Sequence, residues 1–173
     1  PIAVASLSQV HRASLAESGQ SVAVKVRRHG ILDMIKGDLA IFRYLSELLE
    51  GRFETLRTAR LPDVADEVQK TLMRELDFHN EARNISLFNR FFAEDASVCA
   101  PQVIQGYTRP DVLVMEYLPG TRLDAFDGSD EERSTLAQAG LRSAVKQMLV
   151  HGFFHADPHL GNIKIVSDNR ICY

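Results

Sequence analysis

The chain has 173 residues, 45% of them hydrophobic and 25% charged, which is an ordinary composition for a globular domain. Its formal net charge of −3 argues against a nucleic-acid partner, and no apolar run is long enough to span a bilayer. Cys99 and Cys172 lie far apart and form no CxxC pair, so the sequence predicts no disulfide framework. No targeting segment is recognised within the chain, and its ends indicate a fragment of a longer protein.

The first part of the chain predicts a strand pair followed by two helices. Alternating apolar residues indicate strands at 9–15 and 21–27, joined by a turn at Gly19. Apolar residues at helical spacing then predict an amphipathic helix over 31–49 and a longer helix over 62–92.

The second part predicts further strands around one helix. The short strands are expected at 103–107, 112–117, 163–166 and 171–173. Ser129, followed three residues later by Glu132, predicts a capping box at the start of the intervening helix. The order of elements, with a Pro-Gly break near residues 118–121, predicts an α+β protein of two lobes.

Lys25 is the first candidate functional residue. It lies in the stretch VAVK, on the strand face shared with Ala23 and opposite Val24 and Val26. A lysine directed into a lobe needs a partner, because an unpaired buried ammonium is costly. It would hold nucleotide phosphates and be held by a carboxylate, whereas an edge-strand lysine facing water is the simpler alternative.

Three carboxylates in the stretch ELDFHNEA form the second candidate. Asp77 and Glu81 are four residues apart and share a face of the predicted helix, while Glu75 lies to the side. Like charges at this spacing repel, so either a solvated acidic face or a bound cation would explain them. Glu81 is the better partner for Lys25, which leaves Asp77 for a second role.

The stretch FHADPHLGN, residues 154–162, carries the spacing H-x-D-x-x-x-x-N. Asp157 can accept a hydroxyl proton, and Asn162 can supply a neutral oxygen to Mg²⁺, as in phosphoryl-transfer enzymes. His155 is then interpreted as structural.

A zinc site is the alternative for this region. His151, His155 and His159 are spaced by four residues and would form a stripe on a continuous helix. Gly152 and Pro158 interrupt such a helix, which weakens the zinc interpretation.

The stretch VLVMEYLPG predicts an apolar strand that meets a Pro-Gly break. Such a junction can present the Glu116 carbonyl and the Leu118 N–H to an adenine edge, with Met115 behind the ring. An ordinary core strand with an exposed glutamate is the alternative.

With these stretches in order, the chain resembles the UbiB/ADCK family of atypical protein-kinase-like proteins. The stretch PIAVASLSQVHRA is similar to the alanine-rich nucleotide loop of that family, VAVKVRRHGI to its lysine strand, and ELDFHNEA to its E-x-D motif and helix glutamate. FHADPHLGN is similar to its catalytic loop, although Leu160 stands where the family usually has proline. The resemblance implies a bilobal kinase-like fold with an N-lobe at 1–118 and a partial C-lobe at 119–173, truncated before the DFG-type aspartate.

The resemblance also implies roles for the matching positions. Lys25 would contact the phosphates of the nucleotide and pair with Glu81, beneath a loop formed by Ala3, Ala5 and Ser6. Glu75 and Asp77 would be the E-x-D carboxylates that face the site and restrict ordinary protein-kinase activity. Asp157 would be the catalytic aspartate and Asn162 a Mg²⁺ ligand.

Family members bind ATP with Mg²⁺, show ATPase activity and support ubiquinone or other prenyl-lipid metabolism. The implied partners are an adenine nucleotide, prenyl-lipid precursors and biosynthetic proteins, with membrane contact through segments outside this chain. The implied location is the cytoplasmic face of a bacterial membrane, or a mitochondrion or plastid. The alternative function is a catalytically silent scaffold that binds a nucleotide or a lipid.

Overall fold

Two four-stranded sheets organise the described residues, 1–154 and 159–173, of this computed structural model. The strands are β1 Ala3–Val4, β2 Ser8–Ser14, β3 Ser21–Arg27, β4 Val98–Cys99, β5 Val112–Glu116, β6 Thr121–Arg122, β7 Lys164–Val166 and β8 Arg170–Cys172. The α-helices are α1 Ile31–Arg52, α2 Leu61–Glu75, α3 Phe78–Phe91 and α4 Asp130–Val145. None of the helices in these residues is both long and apolar enough to cross a membrane.

The first sheet has the strand order β1-β2-β3-β5, and each neighbouring pair is antiparallel. The predicted hairpin of β2 and β3 is confirmed, and Gly19 in its turn has a φ of 70°, which favours glycine. Val22 and Leu113, on β3 and β5, are 1% and 0% exposed. The strand register places these two side chains on opposite faces of the sheet. Helix α3 packs on the face of Leu113 through Phe78 and Ala82.

The second sheet has the order β4-β8-β7-β6, and β4 pairs with β8 in parallel. The two strands predicted near the end of the chain are confirmed as β7 and β8. The strand predicted at 103–107 is wrong, because Gln105–Tyr107 forms a 3₁₀ turn closed by a Tyr107 N–H bond to the Ile104 carbonyl. The buried Thr108 hydroxyl donates to the same carbonyl at 3.1 Å, which stabilises the turn against extension.

The long helix predicted over 62–92 is also wrong, since it is divided into α2 and α3 at Leu76 and Asp77. Asp77 has an extended backbone, and its carboxylate accepts a hydrogen bond from the His79 N–H at 2.9 Å. An aspartate in this position caps a new helix better than it continues an old one. Asp77 therefore precedes α3 and does not share a continuous helical face with Glu81.

Helix α1 begins where it was predicted to begin, but only part of its apolar face is covered. Ile31, Ile35 and Leu39 are buried in a cluster with Leu76. The later residues of the predicted face lie at the surface: Phe42, Leu45, Leu48 and Leu49. The difference arises because Leu76 and its neighbours at the end of α2 cover the early turns of α1.

Helix α4 begins at the predicted capping box. The Ser129 hydroxyl accepts from the Glu132 N–H at 3.3 Å, and the Glu132 carboxylate accepts from the Ser129 N–H at 2.8 Å. A π-helical turn, Lys146–Val150, follows the helix. On the inner face of α4, Leu136 packs into the core of the second sheet.

Helix α3 contacts the cores of both sheets. Near its start, Phe78 and Ala82 are buried with Leu113 of the first sheet. Near its end, Phe88 is buried with Val98 of the second sheet. This helix also carries Glu81, so its position couples the candidate site to both cores.

Candidate active site

A cleft of about 590 Å³ lies between the turn after β1, the middle of β3 and the junction of α2 with α3. Six of the residues singled out by the sequence line it: Ala5, Ser6, Lys25, Glu75, Asp77 and Glu81. Its volume is in the range of about 300–1,000 Å³ that is usual for small-molecule sites.

The ion pair of Lys25 and Glu81 forms one wall of this cleft. Lys25 Nζ lies 2.7 Å from both Glu81 Oε1 and Glu81 Oε2. The two side chains are 23% and 36% exposed, so the pair is partly desolvated but still reached by solvent. The ammonium also lies 5.2 Å from the centroid of the Phe78 ring. The carboxylate and the ring together restrict the position of a side chain that is flexible on its own.

The turn between β1 and β2 lies over the same cleft. The Ala5 N–H donates to the Ser8 carbonyl at 2.9 Å, which closes the turn around Ser6. The Arg28 N–H donates to the Leu7 carbonyl at 3.0 Å and thereby connects the turn to the end of β3. Ala5 and Ser6 present small side chains to the cleft, whereas Ala3 lies on β1 and does not line it.

Two further carboxylates line the cleft from the helix junction. Glu75 is the last residue of α2, and Asp77 caps α3. The Asp77 carboxylate also lies 3.3 Å from Nδ1 of His79. The cleft thus has more carboxylates than lysines. This charge balance favours binding of a cation, or of an anion that carries a metal ion, over binding of an anion alone.

Among the polar residues of the cleft that the sequence did not single out are Arg74, Asn80 and Asn84. Asn80 Nδ2 donates to the Arg74 carbonyl at 3.0 Å and so connects α3 to the last turn of α2. Asn84 follows Glu81 by three residues on α3, a spacing that places both side chains on one helical face. This spacing in the sequence could have identified Asn84 as a residue near the site.

The predicted adenine-binding junction lies at the end of β5, outside the residues that line the cleft. The Glu116 N–H donates to the Gln102 carbonyl at 2.8 Å, while the Tyr117 N–H donates to the Ser21 carbonyl of β3. Alternate residues of a strand direct their backbone N–H and C=O groups to opposite neighbours. The backbone groups of Glu116 therefore point away from β3. Leu118 follows as a half-buried residue.

The loop predicted to be catalytic is described only in part. Asp157 and His155 lie outside the described residues. Asn162 ends an exposed 3₁₀ turn, Leu160–Asn162, and its N–H donates to the His159 carbonyl at 2.8 Å. Asn162 is not among the residues that line the cleft.

The zinc alternative receives no support from the two histidines that can be placed. The His151 ring stacks on Phe91 with 4.4 Å between centroids. His159 Nδ1 accepts a hydrogen bond from the Gly161 N–H at 3.1 Å. Among the described residues, no three His, Cys, Asp or Glu side chains are grouped so that they could hold a metal ion.

Comparison with known proteins identifies relatives over the whole chain. The sequence profile of the ABC1 atypical kinase-like domain matches residues 1–173. Two chloroplastic proteins of Arabidopsis thaliana, ACTIVITY OF BC1 COMPLEX KINASE 8 and ACTIVITY OF BC1 COMPLEX KINASE 1, are 41% and 39% identical to it. These alignments cover 100% and 99% of this chain but only 23% and 26% of the plant proteins. The chain thus spans about a quarter of the length of these relatives.

A solved structure has the same fold. Rv3197 of Mycobacterium tuberculosis, solved in complex with erythromycin, matches this structure with a TM-score of 0.80 at 24% sequence identity. The match covers 99% of this chain and 43% of that one. The α+β, kinase-like fold predicted from the sequence is therefore confirmed, and the matched region is again a part of a longer protein.

Proposed function

Because this chain belongs to the ABC1 atypical kinase-like family, the UbiB/ADCK group that its motifs resemble, we propose that it binds Mg²⁺-ATP for phosphoryl transfer or ATP hydrolysis. The activity belongs to the full-length protein of which this chain is the nucleotide-binding segment. The proposal covers the site residues inferred from the sequence, whose roles follow below.

The contact between Lys25 and Glu81 is the observation that carries the proposal. The two residues are far apart in the sequence and are brought to 2.7 Å on the wall of an open cleft. An ammonium held by a glutamate from a neighbouring helix is the arrangement by which kinases position phosphate groups. The ammonium has three N–H donors, so it can donate to a phosphate oxygen without leaving the carboxylate.

The turn around Ser6 is proposed to cover the phosphates. The small side chains of Ala5 and Ser6 leave room for phosphate oxygens near the backbone, while Ala3 holds the turn through the pairing of β1 with β2. The Glu116 carbonyl and the Leu118 N–H are proposed to bind the adenine edge at the end of β5.

Magnesium is proposed to accompany the phosphates, because the donor set of the cleft suits a hard cation. Glu75 and Asp77 offer carboxylate oxygens, which Mg²⁺ prefers together with phosphate oxygens and water. In this proposal they restrict how the bound phosphates can be presented to a protein hydroxyl. Asn162 would supply a neutral oxygen to the metal, and Asp157 would accept the proton of the attacking hydroxyl group.

The cellular role is proposed from the family. The full-length protein would support ubiquinone or another prenyl-lipid pathway at a membrane, with lipid precursors and biosynthetic proteins as its partners. The location would be a bacterial membrane or an organelle, and the named plant relatives are chloroplastic. The alternative is a silent scaffold that binds the nucleotide or lipid without turnover.

Thermal unfolding of the full-length protein with and without Mg²⁺-ATP tests the nucleotide site. At about a hundred times its dissociation constant, the ligand should stabilise the folded form by about 2.7 kcal/mol. Lys25→Ala should abolish the Mg²⁺-dependent rise in Tm. Lys70→Ala is the matched control, because Lys70 lies on α2 with its side chain 63% exposed and forms a surface ion pair with Glu67.

Turnover distinguishes the enzyme from the scaffold. Asp157→Asn should retain the rise in Tm and lose ATP hydrolysis or transfer. A wild-type protein that binds Mg²⁺-ATP but never turns it over would favour the scaffold, and the absence of any nucleotide-dependent shift would refute the site itself.

A further inference from the structure

The two cysteines of the chain lie side by side in the second sheet, although 73 positions separate them (172 − 99). Cys99 of β4 is the registered partner of Cys172 of β8 in the parallel pair. The Tyr173 N–H donates to the Cys99 carbonyl at 3.0 Å, which fixes this register. Directly opposed residues on neighbouring strands direct their side chains to the same face of the sheet. Both cysteines are free thiols, and the Cys172 thiol donates to the Tyr173 carbonyl at 3.7 Å.

This geometry suits a disulfide without a change of fold. Adjacent strands lie about 4.7–4.9 Å apart, and disulfide-bonded cysteines have Cα atoms roughly 4.4–6.8 Å apart. The ladder between β4 and β8 holds only two registered pairs, so a covalent bond would add a constraint that the sheet otherwise lacks.

The two thiols differ in how they can react. Cys99 is half-buried, whereas Cys172 is 5% exposed, so a reagent from solvent reaches Cys99 first. Interaction with the neighbouring Cys172 thiol and the charge of Arg170 lower the pKa of Cys99, although burial and the charge of Glu116 oppose them. Interaction with Cys99 and burial raise the pKa of Cys172, although the charges of Lys164 and Arg170 oppose this. The accessible Cys99 is therefore the thiol of the pair that loses its proton more readily.

We propose that Cys99 and Cys172 form a reversible dithiol–disulfide pair that responds to peroxide, with Cys99 as the sulfur attacked first and Cys172 as the resolving sulfur. In the first step, the Cys99 thiolate attacks one oxygen of hydrogen peroxide. An S–O bond forms, the O–O bond breaks and hydroxide leaves, which gives a sulfenic acid on Cys99. In the second step, the Cys172 sulfur attacks Cys99, and the S–O bond breaks. The departing hydroxide takes the Cys172 proton as water.

The balance is two thiols and one peroxide converted to one disulfide and two waters. The reverse step is reduction by a dithiol, which is oxidised to its own disulfide by exchange at the sulfur atoms. The site is separate from the nucleotide cleft, since neither cysteine lines it. Oxidation is expected to tether β4 to β8 and to raise the Tm of the protein, because the bond closes a long loop in the unfolded chain.

The test uses the full-length protein, treated with hydrogen peroxide, blocked with N-ethylmaleimide and digested without reduction. Mass spectrometry should find the Cys99 peptide joined to the Cys172 peptide, and dithiothreitol should separate them. Cys172→Ser should stop at a sulfenic acid on Cys99, which dimedone traps. Cys99→Ser should leave the Cys172 thiol reduced under the same treatment. Each serine variant is compared with wild type by circular dichroism, so that loss of fold is distinguished from loss of chemistry.

Three results would overturn the proposal. The first is that peroxide-treated wild type retains both thiols in a form that maleimide labels after denaturation. The second is that Cys172 oxidises as fast in Cys99→Ser as in wild type. The third is that Cys99 is found joined to a different cysteine of the full-length protein.

Discussion

Asp77 contributes to two features at once, since its carboxylate lines the cleft and also caps α3. We predict that Asp77→Ala lowers the free energy of unfolding by about 1 kcal/mol, because the His79 N–H loses its acceptor. Asp77→Asn should retain most of that stability, since an amide oxygen caps nearly as well as a carboxylate. Urea unfolding of the two variants and wild type measures the difference. Equal losses in both variants would mean that the charge of Asp77, and not its capping bond, stabilises the helix.

The contact between Lys25 and Glu81 was expected from chemistry rather than from periodicity. A strand lysine with apolar neighbours needs a carboxylate, and Glu81 was the better placed of the acidic residues. The position of Asp77 could not be inferred in the same way. Its neighbours Leu76 and Phe78 suit a continuous helix, so the capping bond becomes evident only when the backbone is known.

At the scale of elements, local patterns predicted several elements that satisfy their own hydrogen bonds or pair with a neighbour in sequence. Strand β3 and the start of α1 are of this kind, as is the capped start of α4. Strand β4 is not, because its two residues become a strand only through parallel pairing with β8 at the far end of the chain. A two-residue strand has no period, and a distant partner leaves no local signal.

The exposed turns of α1 show the same limit. Periodicity correctly identified a helix with an apolar face, but it could not tell how far a neighbouring element covers that face. The end of α2, through Leu72 and Leu76, covers only the early turns of α1.

Asp95 connects two elements, and its ionisation should make their connection depend on pH. It lies between α3 and β4, and its carboxylate accepts from Lys146 Nζ at 2.7 Å and from the Ser97 hydroxyl at 2.6 Å. These hydrogen bonds lower the pKa of Asp95 from 3.8 to about 2, and the bond from Lys146 has the largest effect. A carboxyl group whose pKa is lower in the folded state stabilises the protein above its unfolded pKa and loses that effect as pH falls.

We therefore predict that Asp95→Asn costs about 1 kcal/mol at neutral pH, a modest value because Lys146 is 48% exposed and the pair is screened. The difference from wild type should persist down to about pH 4 and vanish towards pH 2. Chemical denaturation at a series of pH values measures it. Asp127→Asn is a matched control, because Asp127 has a fully exposed side chain near Arg133. A difference that stays constant over this range would contradict the assigned ionisation.

At the scale of the whole molecule, α3 is the element shared by both cores. Its first turns pack with Leu113 under the first sheet, and its last turns pack with Val98 in the second. Phe88 is the central contact at the second end. It is 5% exposed, stacks on Phe92 with 4.6 Å between centroids, and lies 5.2 Å from the ring of Tyr173. The division into an N-lobe at 1–118 and a C-lobe at 119–173 remains a prediction, and this helix offers a way to test it.

We predict that Phe88→Ala destabilises the two sheets together, by roughly 3–5 kcal/mol. The lost ring belongs to the second core, but the helix that carries it also covers Leu113, so loosening α3 should expose the first core as well. Phe88→Leu is the matched control, since it keeps an apolar group of similar reach and should cost much less. Hydrogen exchange of the full-length protein, followed by mass spectrometry, measures the two sheets separately. Peptides from β3 and β5 report on the first sheet, and peptides from β7 and β8 report on the second. Equal loss of protection in both sets would show one cooperative unit joined through α3. Loss confined to β7 and β8 would instead mean that the lobes unfold independently, and that the helix carrying Glu81 is held by the first sheet alone.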